Sequence, residues 1–202
     1  MDRQTLKRLA NSRALLWLLL SLPAAAAVRA YATDAITYGE FIQASGDWSV
    51  RLLIATMAVT PIRLLLAGSR WPAWLLARRR HLGVATFGYA LLHTIAYLVR
   101  KADFDLIAAE GADPSLWTGW LAFFIFAALA VTSNNASVRL LASRWKQLHR
   151  LVYAAAILTF AHWLLSAFDI VPGLIYAGIL ATIEVVRMLL LRRRAHRRGS
   201  PA

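Results

Sequence analysis

Four histidines lie in or beside two long apolar stretches of the chain: His81 and His93 in one, His149 and His162 in the other. Histidine is a common ligand of transition metals, because its neutral ring nitrogen carries a lone pair. No charged residue occurs within residues 151–168, so the second stretch is long enough to cross the ~30 Å hydrocarbon core of a membrane. An ionisable side chain inside a membrane helix is costly, and its presence there indicates a functional site.

The spacing of the histidines predicts two pairs at matching depths. At 1.5 Å per residue, His93 lies ~18 Å along a helix from His81, and His162 lies ~20 Å from His149. If both helices begin at the same membrane surface, His93 and His162 reach one level, and His81 and His149 reach another. At ~100° per residue, the two histidines of each helix are also ~120–140° apart in angular position. A straight helix therefore cannot direct both of its histidines toward the same neighbour, and the outer pair is the stronger prediction.

The absence of cysteine narrows the choice of metal centre. With no cysteine in the chain, neither a thiolate-bound iron–sulfur cluster nor a haem attached through thioether bonds is available. The pattern therefore predicts a non-covalently bound haem whose iron is held by His93 and His162. His149, alone or with His81, is the candidate ligand of a second haem, so the sequence leaves the haem number at one or two.

The composition indicates an all-α integral membrane protein that forms a single domain over residues 1–202. Of the 202 residues, 59% are hydrophobic and 16% are charged, which is more apolar surface than a soluble core of this size can bury. The net charge is +13, but Arg and Lys are concentrated in short segments between apolar stretches, as membrane orientation requires. We therefore expect membrane lipid, and no nucleic acid, as a partner.

Hydropathy predicts a helical bundle of six membrane spans. The spans cover approximately residues 14–32, 48–66, 81–99, 116–132, 147–168 and 170–191. The first of them also fits a signal peptide, because a basic segment precedes it and small residues follow its apolar core. We favour the membrane span.

The distribution of Arg and Lys predicts the orientation of the bundle. If the N-terminus is inside, nearly all of these residues fall on inside segments, namely 1–13, 63–80, 133–150 and 187–202. This bias predicts an N-in, C-in topology. The haem would then lie between the third and fifth spans, in the outer half of the bilayer.

Two arginines are candidates to bind the haem propionates, since a guanidinium pairs well with a carboxylate. Arg51 lies in the outer part of the second span and Arg150 lies near the inner end of the fifth. The alternative role of each is to snorkel to the lipid headgroups. In the sixth span, the spacing of Glu184 and Arg187 allows an ion pair on one helix face.

The chain carries no nucleotide-binding loop, HExxH motif, nucleophile elbow or pair of catalytic carboxylates. We therefore assign no catalytic residue. The sequence predicts an electron-transfer subunit of an oxidoreductase system rather than a stand-alone enzyme, and its electrons must come from another protein or from the membrane.

Several stretches of the chain carry a family resemblance. They are VTPIR (59–63), RRRHLGVATFGYALLHTIAY (78–97), LAVTS (129–133), RWKQLHRLVYAAAILTFAH (144–162) and PGLIYAG (172–178). Together they resemble the ferric-reductase-like membrane domains and, more narrowly, the MsrQ (YedZ) family of haem-binding membrane subunits. These stretches cover most of the second to sixth spans.

The resemblance implies b-type haem on His93 and His162, with His149 as the third histidine of the family pattern, and FMN as a further cofactor. It implies a multi-pass protein of the bacterial inner membrane. Electrons would pass from the quinone pool or a cytosolic flavin reductase to a periplasmic molybdopterin-containing methionine sulfoxide reductase, which repairs oxidised methionines.

The sequence departs from the family pattern at the entry to the fourth span. Asp113-Pro114-Ser115-Leu116-Trp117 stands in place of a basic-Pro-Tyr sequence, on the predicted outer side where a partner would dock. Two alternative functions also stay open. One is a ferric-reductase-like or oxidase-like haem protein with a different acceptor, and the other is a haem-free membrane scaffold.

Overall fold

A computed structural model describes residue 2 and residues 11–69, 71–102, 105 and 113–199 of the chain. All the regular secondary structure of these residues is helical, with no strand among them. The helices are α1 (Arg13–Ala32), α2 (Tyr38–Leu65), α3 (Trp71–Lys101), α4 (Pro114–Val131), α5 (Asn135–Leu141), α6 (Ser143–His149), α7 (Val152–Ser166) and α8 (Val171–Gly199).

Six helical segments within the described residues are long and apolar enough to cross a membrane. Five of them lie within α1, α2, α3, α4 and α8. The sixth, Ser143–Ser166, consists of α6 and α7 together. The prediction of an all-α protein with six membrane spans is confirmed.

The second span begins earlier than hydropathy predicts. α2 starts at Tyr38, ten residues before the predicted span 48–66. A capping box starts the helix there: the Thr37 hydroxyl accepts from the Glu40 N–H at 3.2 Å, and the Glu40 carboxylate accepts from the Thr37 N–H at 2.7 Å. Hydropathy identifies the apolar residues that cross the membrane core, but not the polar residues at which a helix begins.

The third span also begins earlier than predicted. α3 starts at Trp71, ten residues before the predicted span 81–99. Pro72 occupies the first turn of α3, where proline costs little because its missing N–H has no partner in a helix. The arginines at 78–80 continue the helix because arginine has a high helix propensity.

Five helices of the described chain form a closed ring. α2 packs on α3, α3 on α4, α4 on α7, α7 on α8, and α8 on α2. The ring encloses an apolar core formed by Val50, Leu53, Ile54, Met57, Ala122, Phe126, Ala155, Ala156, Phe160 and Leu180. The two alanines of α7 allow close approach of helices, as small residues do in membrane bundles. α3 and α7, which carry His93 and His162, share α4 as a neighbour.

α1 lies outside this ring, against α2 and α3. Tyr89 of α3 holds it in place: the Tyr89 hydroxyl donates to the Leu20 carbonyl at 2.8 Å and accepts from the Ala24 N–H at 3.1 Å. In a regular helix the Leu20 carbonyl and the Ala24 N–H would bond to each other. The neighbouring Pro23 already weakens the helix there because it has no N–H to donate. The tyrosine therefore supports α1 at its weakest point.

Segments rich in Arg and Lys gather at one end of the bundle, called here the basic end; its described residues are 63–69, 71–80, 133–150 and 187–196. Hydrogen bonds join these segments, from Arg80 Nη1 to Asn135 Oδ1 at 2.7 Å and from Arg194 Nη2 to the Leu64 carbonyl at 3.0 Å. The orientation of this end toward the cell interior stays a prediction.

Candidate functional site

His93 projects from α3 toward the first turns of α2. Its Nδ1 lies 2.9 Å from the Ile42 carbonyl oxygen, with the Ser45 hydroxyl at 3.5 Å. Because a carbonyl oxygen only accepts hydrogen bonds, Nδ1 of His93 carries the proton. Nε2 therefore keeps its lone pair, which is the form in which histidine binds a metal.

His162 of α7 makes the same kind of contact with α4. Its Nδ1 lies 2.6 Å from the carbonyl oxygen of Ser115, in the first turn of α4. By the same argument, Nδ1 of His162 carries the proton and Nε2 keeps its lone pair. Two histidines on different helices are thus held in one tautomer by main-chain oxygens of neighbouring helices.

A glycine stands one helical turn beyond each of these carbonyls. Gly46 follows Ile42 at the i+4 position, and Gly119 follows Ser115 at the same spacing, so each glycine lies on the helix face that the ring approaches. A Cβ on Gly46 would lie 3.3 Å from His93 Nδ1, and a Cβ on Gly119 would lie 2.8 Å from His162 Nδ1. The missing side chains are what allow the rings to reach the carbonyls.

The sequence alone did not identify these glycines as part of the site. Glycine inside a helix costs about 1 kcal/mol relative to alanine, so each of the two positions needs a packing reason. This cost was the one indication in the sequence that the two glycines have a structural role. It could not show which side chain would lie against Gly46 or Gly119, because the partner lies on another helix.

The two rings meet in the space between α3 and α7. The ring centroids of His93 and His162 are 6.1 Å apart, and the ring planes are nearly perpendicular, at 88°. Two imidazoles on opposite sides of one metal ion have centroids about 6 Å apart, if each metal–nitrogen bond is about 2 Å. The separation of the ring centroids and the free Nε2 atoms therefore fit a haem that His93 and His162 would hold from two helices.

His149 and His81 do not form a corresponding second pair. His149 Nε2 lies 3.1 Å from the Thr132 hydroxyl, whose own proton goes to the Ala128 carbonyl at 2.6 Å, so Nε2 of His149 is the donor in this contact. His81 instead lies against Trp17 of α1, with ring centroids 5.6 Å apart. The prediction of a second haem, with His149 as a ligand, stays a prediction.

The break between α6 and α7 explains why His149 and His162 differ in direction. α6 ends at His149 and α7 begins at Val152, so the two histidines lie on separate helices rather than on one straight rod. The fifth histidine, His196, is exposed on α8 at the basic end. Among the described residues, no group of three or more His, Cys, Asp and Glu side chains forms a further metal site.

Of the two arginines predicted to bind haem propionates, Arg51 contacts α8 and Arg150 lies at the basic end. Arg51 Nε donates to the Tyr176 hydroxyl at 3.0 Å, and its guanidinium lies over Trp48, so this side chain joins α2 to α8. Arg150 is exposed at the basic end, ~18 Å along the span from His162. The propionate roles of both arginines stay predictions.

The start of α4 brings an acidic group near this site. Asp113 is the N-cap of α4, and its carboxylate accepts from the Ser115 N–H at 2.8 Å. Hydrogen bonds from the backbone and side chain of Ser115 lower the pKa of Asp113. Ser115 therefore donates its N–H to Asp113 and accepts a hydrogen bond from His162 at its carbonyl oxygen.

Comparison with known proteins agrees with this architecture. The family model described as "Ferric reductase like transmembrane component" matches residues 45–160, more than half of the chain. Six membrane-spanning helices and this match define the class: a multi-pass, ferric reductase-like transmembrane protein of the bacterial inner membrane.

The relatives define the family within that class. The protein-methionine-sulfoxide reductase heme-binding subunit MsrQ of Azospira oryzae is 36% identical over 193 residues, covering 89% of this chain and 79% of the relative. The subunit of the same name from Ralstonia nicotianae is 36% identical over 208 residues, covering 97% and 93%. That of Rhizobium meliloti is 38% identical over 163 residues, covering 77% and 73%. The chain belongs to the MsrQ family.

Proposed function

We propose that this chain binds one haem b between His93 and His162 and serves as a membrane electron-transfer subunit. The observation that carries the proposal is the pair of rings 6.1 Å apart, each with its Nδ1 proton held by a backbone carbonyl. The names of the relatives, which describe haem-binding subunits, support the same cofactor.

The chain's own residues prepare the site in a defined way. The Ile42 and Ser115 carbonyls hold the two rings in the tautomer that leaves Nε2 free, and Gly46 and Gly119 leave space for the rings. A haem held by both His93 and His162 would supply one-electron transfer. An electron carrier fits this arrangement better than a catalyst that binds its substrate at the metal.

The partners follow from the family. We propose that the acceptor is a periplasmic molybdopterin-containing methionine sulfoxide reductase, because the relatives are named as subunits of a protein-methionine-sulfoxide reductase. The donor is the quinone pool or a cytosolic flavin reductase, and FMN is a second cofactor. In this proposal the chain moves electrons across the inner membrane and is not a stand-alone enzyme.

Absorbance of the purified protein tests the haem site. The wild-type chain should show a Soret band that shifts on reduction with dithionite, and the pyridine haemochrome spectrum should give one b-type haem per chain. His93→Ala and His162→Ala should each lose the band, whereas His196→Ala should retain it. A colourless wild-type protein of full thermal stability would instead support the haem-free scaffold.

A ferric-reductase-like protein with another acceptor is the second candidate, favoured by the family model that spans residues 45–160. Stopped-flow oxidation of the dithionite-reduced chain separates the two candidates. Rapid reoxidation by the periplasmic reductase, with slow reoxidation by ferric chelates, supports the methionine sulfoxide reductase system. The opposite order supports the second candidate.

A further inference from the structure

A buried hydroxyl stands beside each of the two carbonyls that accept from the paired histidines. On α2, the Ser45 hydroxyl donates to the Ile42 carbonyl at 2.8 Å. The same oxygen accepts from His93 Nδ1 at 2.9 Å. Ser45 is at the i+3 position from Ile42, so its side chain lies on the helix face that the ring approaches. It is 2% exposed, and its hydroxyl therefore has no access to bulk water.

α4 repeats this arrangement at the other histidine. The Thr118 hydroxyl lies 2.8 Å from the Ser115 carbonyl, the oxygen that accepts from His162 Nδ1. It also lies 2.7 Å from the Pro114 carbonyl, so its single proton is divided between two oxygens. Thr118 is buried as well, at 7% exposed. In both helices the order is therefore a carbonyl at i, a hydroxyl at i+3 and a glycine at i+4.

Each of these carbonyls meets more donors than it has lone pairs. In a regular helix the backbone N–H at i+4 also donates to it, so the Ile42 oxygen meets three donors with two lone pairs. Donors that share one oxygen draw on the same electron density, and each bond is weaker than it would be alone. The Ser45 hydroxyl therefore weakens the hydrogen bond between the Ile42 carbonyl and the Nδ1–H of His93.

Hydroxyls that bond to a carbonyl of their own helix are common, and Thr56 shows the ordinary form. Its hydroxyl donates to the Leu52 carbonyl at 2.7 Å, four residues back on α2, and no histidine of the described chain bonds to that carbonyl. At Ser45 and Thr118, by contrast, the hydroxyl and a histidine ring bond to the same oxygen. Satisfaction of the hydroxyl alone does not require that choice, since a carbonyl at i−4 serves at Thr56.

We propose that Ser45 and Thr118 raise the reduction potential of the haem that His93 and His162 would hold, an inference that rests on the proposed function. A strong hydrogen bond from Nδ1–H makes a ligating histidine more basic, and a more basic ligand favours the oxidised metal. Each hydroxyl weakens that bond and so favours the reduced haem; hydrogen bonding around the ligands is one means by which a protein tunes a haem. Ser45 has the larger effect, because its proton goes to one carbonyl and that of Thr118 to two.

Redox titration of the full-length chain in detergent, followed by Soret absorbance, tests the proposal. Ser45→Ala removes the competing donor and leaves no buried group unpaired, since the Ile42 carbonyl keeps its other donors. At a fixed potential, its ratio of oxidised to reduced haem should rise at least about threefold, a shift of about 28 mV at 59 mV per tenfold for one electron. Thr118→Val should shift the potential in the same direction by less. Thr118→Ser keeps the hydroxyl and should retain the wild-type potential.

Ser49→Ala is the matched control. Ser49 is 6% exposed, lies one turn from Ser45 on α2 and donates to the Thr86 carbonyl of α3 at 3.0 Å. Its loss removes a buried hydroxyl without changing the bond to a histidine, so the thermal midpoint should fall while the potential stays at the wild-type value.

The outcomes separate this inference from the proposed function. Equal potentials in Ser45→Ala and Ser49→Ala, with haem present in both, would overturn the role of Ser45 and leave the haem site standing. If Ser45→Ala does not retain haem, the potentials of Thr118→Val and Thr118→Ser decide, and equal values there overturn the inference. A wild type that contains no haem, by the pyridine haemochrome assay, would overturn the proposed function and this inference with it.

Discussion

At the scale of single residues, the same arrangement occurs at both histidines. Each ring places Nδ1 on a carbonyl at position i of a neighbouring helix, and a glycine stands at i+4 of that helix. In each case the carbonyl lies near the start of the helix. Because i and i+4 share a helix face, the glycine removes the one Cβ that would keep the ring from its acceptor.

Gly119→Ala should therefore disturb the site more than any other glycine-to-alanine change in the described chain. The new Cβ would lie 2.8 Å from His162 Nδ1, a separation that real Cβ contacts do not show, so the ring must leave the Ser115 carbonyl. Loss of this hydrogen bond costs about 1–2 kcal/mol. We expect at least a severalfold fall in Soret absorbance per protein, measured after purification.

Two matched variants make this prediction specific. Gly46→Ala places its Cβ 3.3 Å from His93 Nδ1, which a small shift relieves, so its effect should be smaller. Gly88→Ala, on the same helix as His93, meets nothing within 4 Å and should retain full haem content. Equal haem content in all three variants would contradict the assignment of a positioning role to Gly119.

At the scale of helices, the sequence predicted where the apolar segments lie but not where helices begin. Hydropathy located the six spans because an apolar run of sufficient length has few alternatives to a membrane helix. The early start of α2 depends on the Thr37–Glu40 capping box, and such a motif is too short to change a hydropathy average. The rise per residue predicted that His93 and His162 reach one level, and their rings lie 6.1 Å apart. The contacts of Gly46 and Gly119 depend on how helices dock, which a single sequence does not specify.

The start of α4 should make stability depend on acid pH. The Asp113 carboxylate accepts from the Ser115 N–H, and its pKa is lowered in the folded protein. A depressed folded-state pKa stabilises the fold above the unfolded-state value of about 3.9, and this stabilisation is lost as pH falls through the folded-state value. Thermal unfolding of the wild type should therefore become easier across that window.

Substitutions at Asp113 separate the charge from the cap. Asn also accepts a hydrogen bond at the N-cap, so Asp113→Asn should remain close to wild type near neutral pH and show a flatter acid profile. Asp113→Ala should lower the thermal midpoint throughout. Superimposable acid profiles for the wild type and Asp113→Asn would show that this carboxylate contributes no pH dependence.

The Tyr89 hydroxyl contributes two hydrogen bonds to the attachment of α1. Tyr89→Phe removes the hydrogen bonds to the Leu20 carbonyl and the Ala24 N–H and keeps the ring. We expect a loss of about 1–2 kcal/mol, seen as a lower midpoint of thermal unfolding in detergent. Tyr31→Phe is the control, because Tyr31 stacks on Phe41 through its ring, which the change preserves. An equal midpoint shift in both variants would contradict the role of Tyr89.

At the scale of the whole molecule, the ring of helices separates two regions along its length. His93 and His162 lie toward one end. A cavity whose lining includes Arg79, Lys146 and Arg150 lies toward the other, basic end. If the basic end faces the cytoplasm, the paired histidines lie toward the periplasm, where the proposed acceptor is found. The direction of electron transfer in the proposed function therefore depends on the orientation of the bundle.

Cysteine labelling can determine that orientation, because the chain contains no native cysteine. Ala35→Cys and Phe168→Cys introduce a thiol at exposed positions in connections at the histidine end. Ala67→Cys does so in a connection at the basic end, and Ala136→Cys does so on the short helix α5 at the same end. With N-in, C-in topology, a membrane-impermeant maleimide should label the first two variants in intact spheroplasts and the other two only after the membrane is disrupted. The cysteine-free chain is the control for background labelling. The opposite pattern would place the paired histidines toward the cytoplasm and would remove the basis for delivery of electrons to a periplasmic reductase.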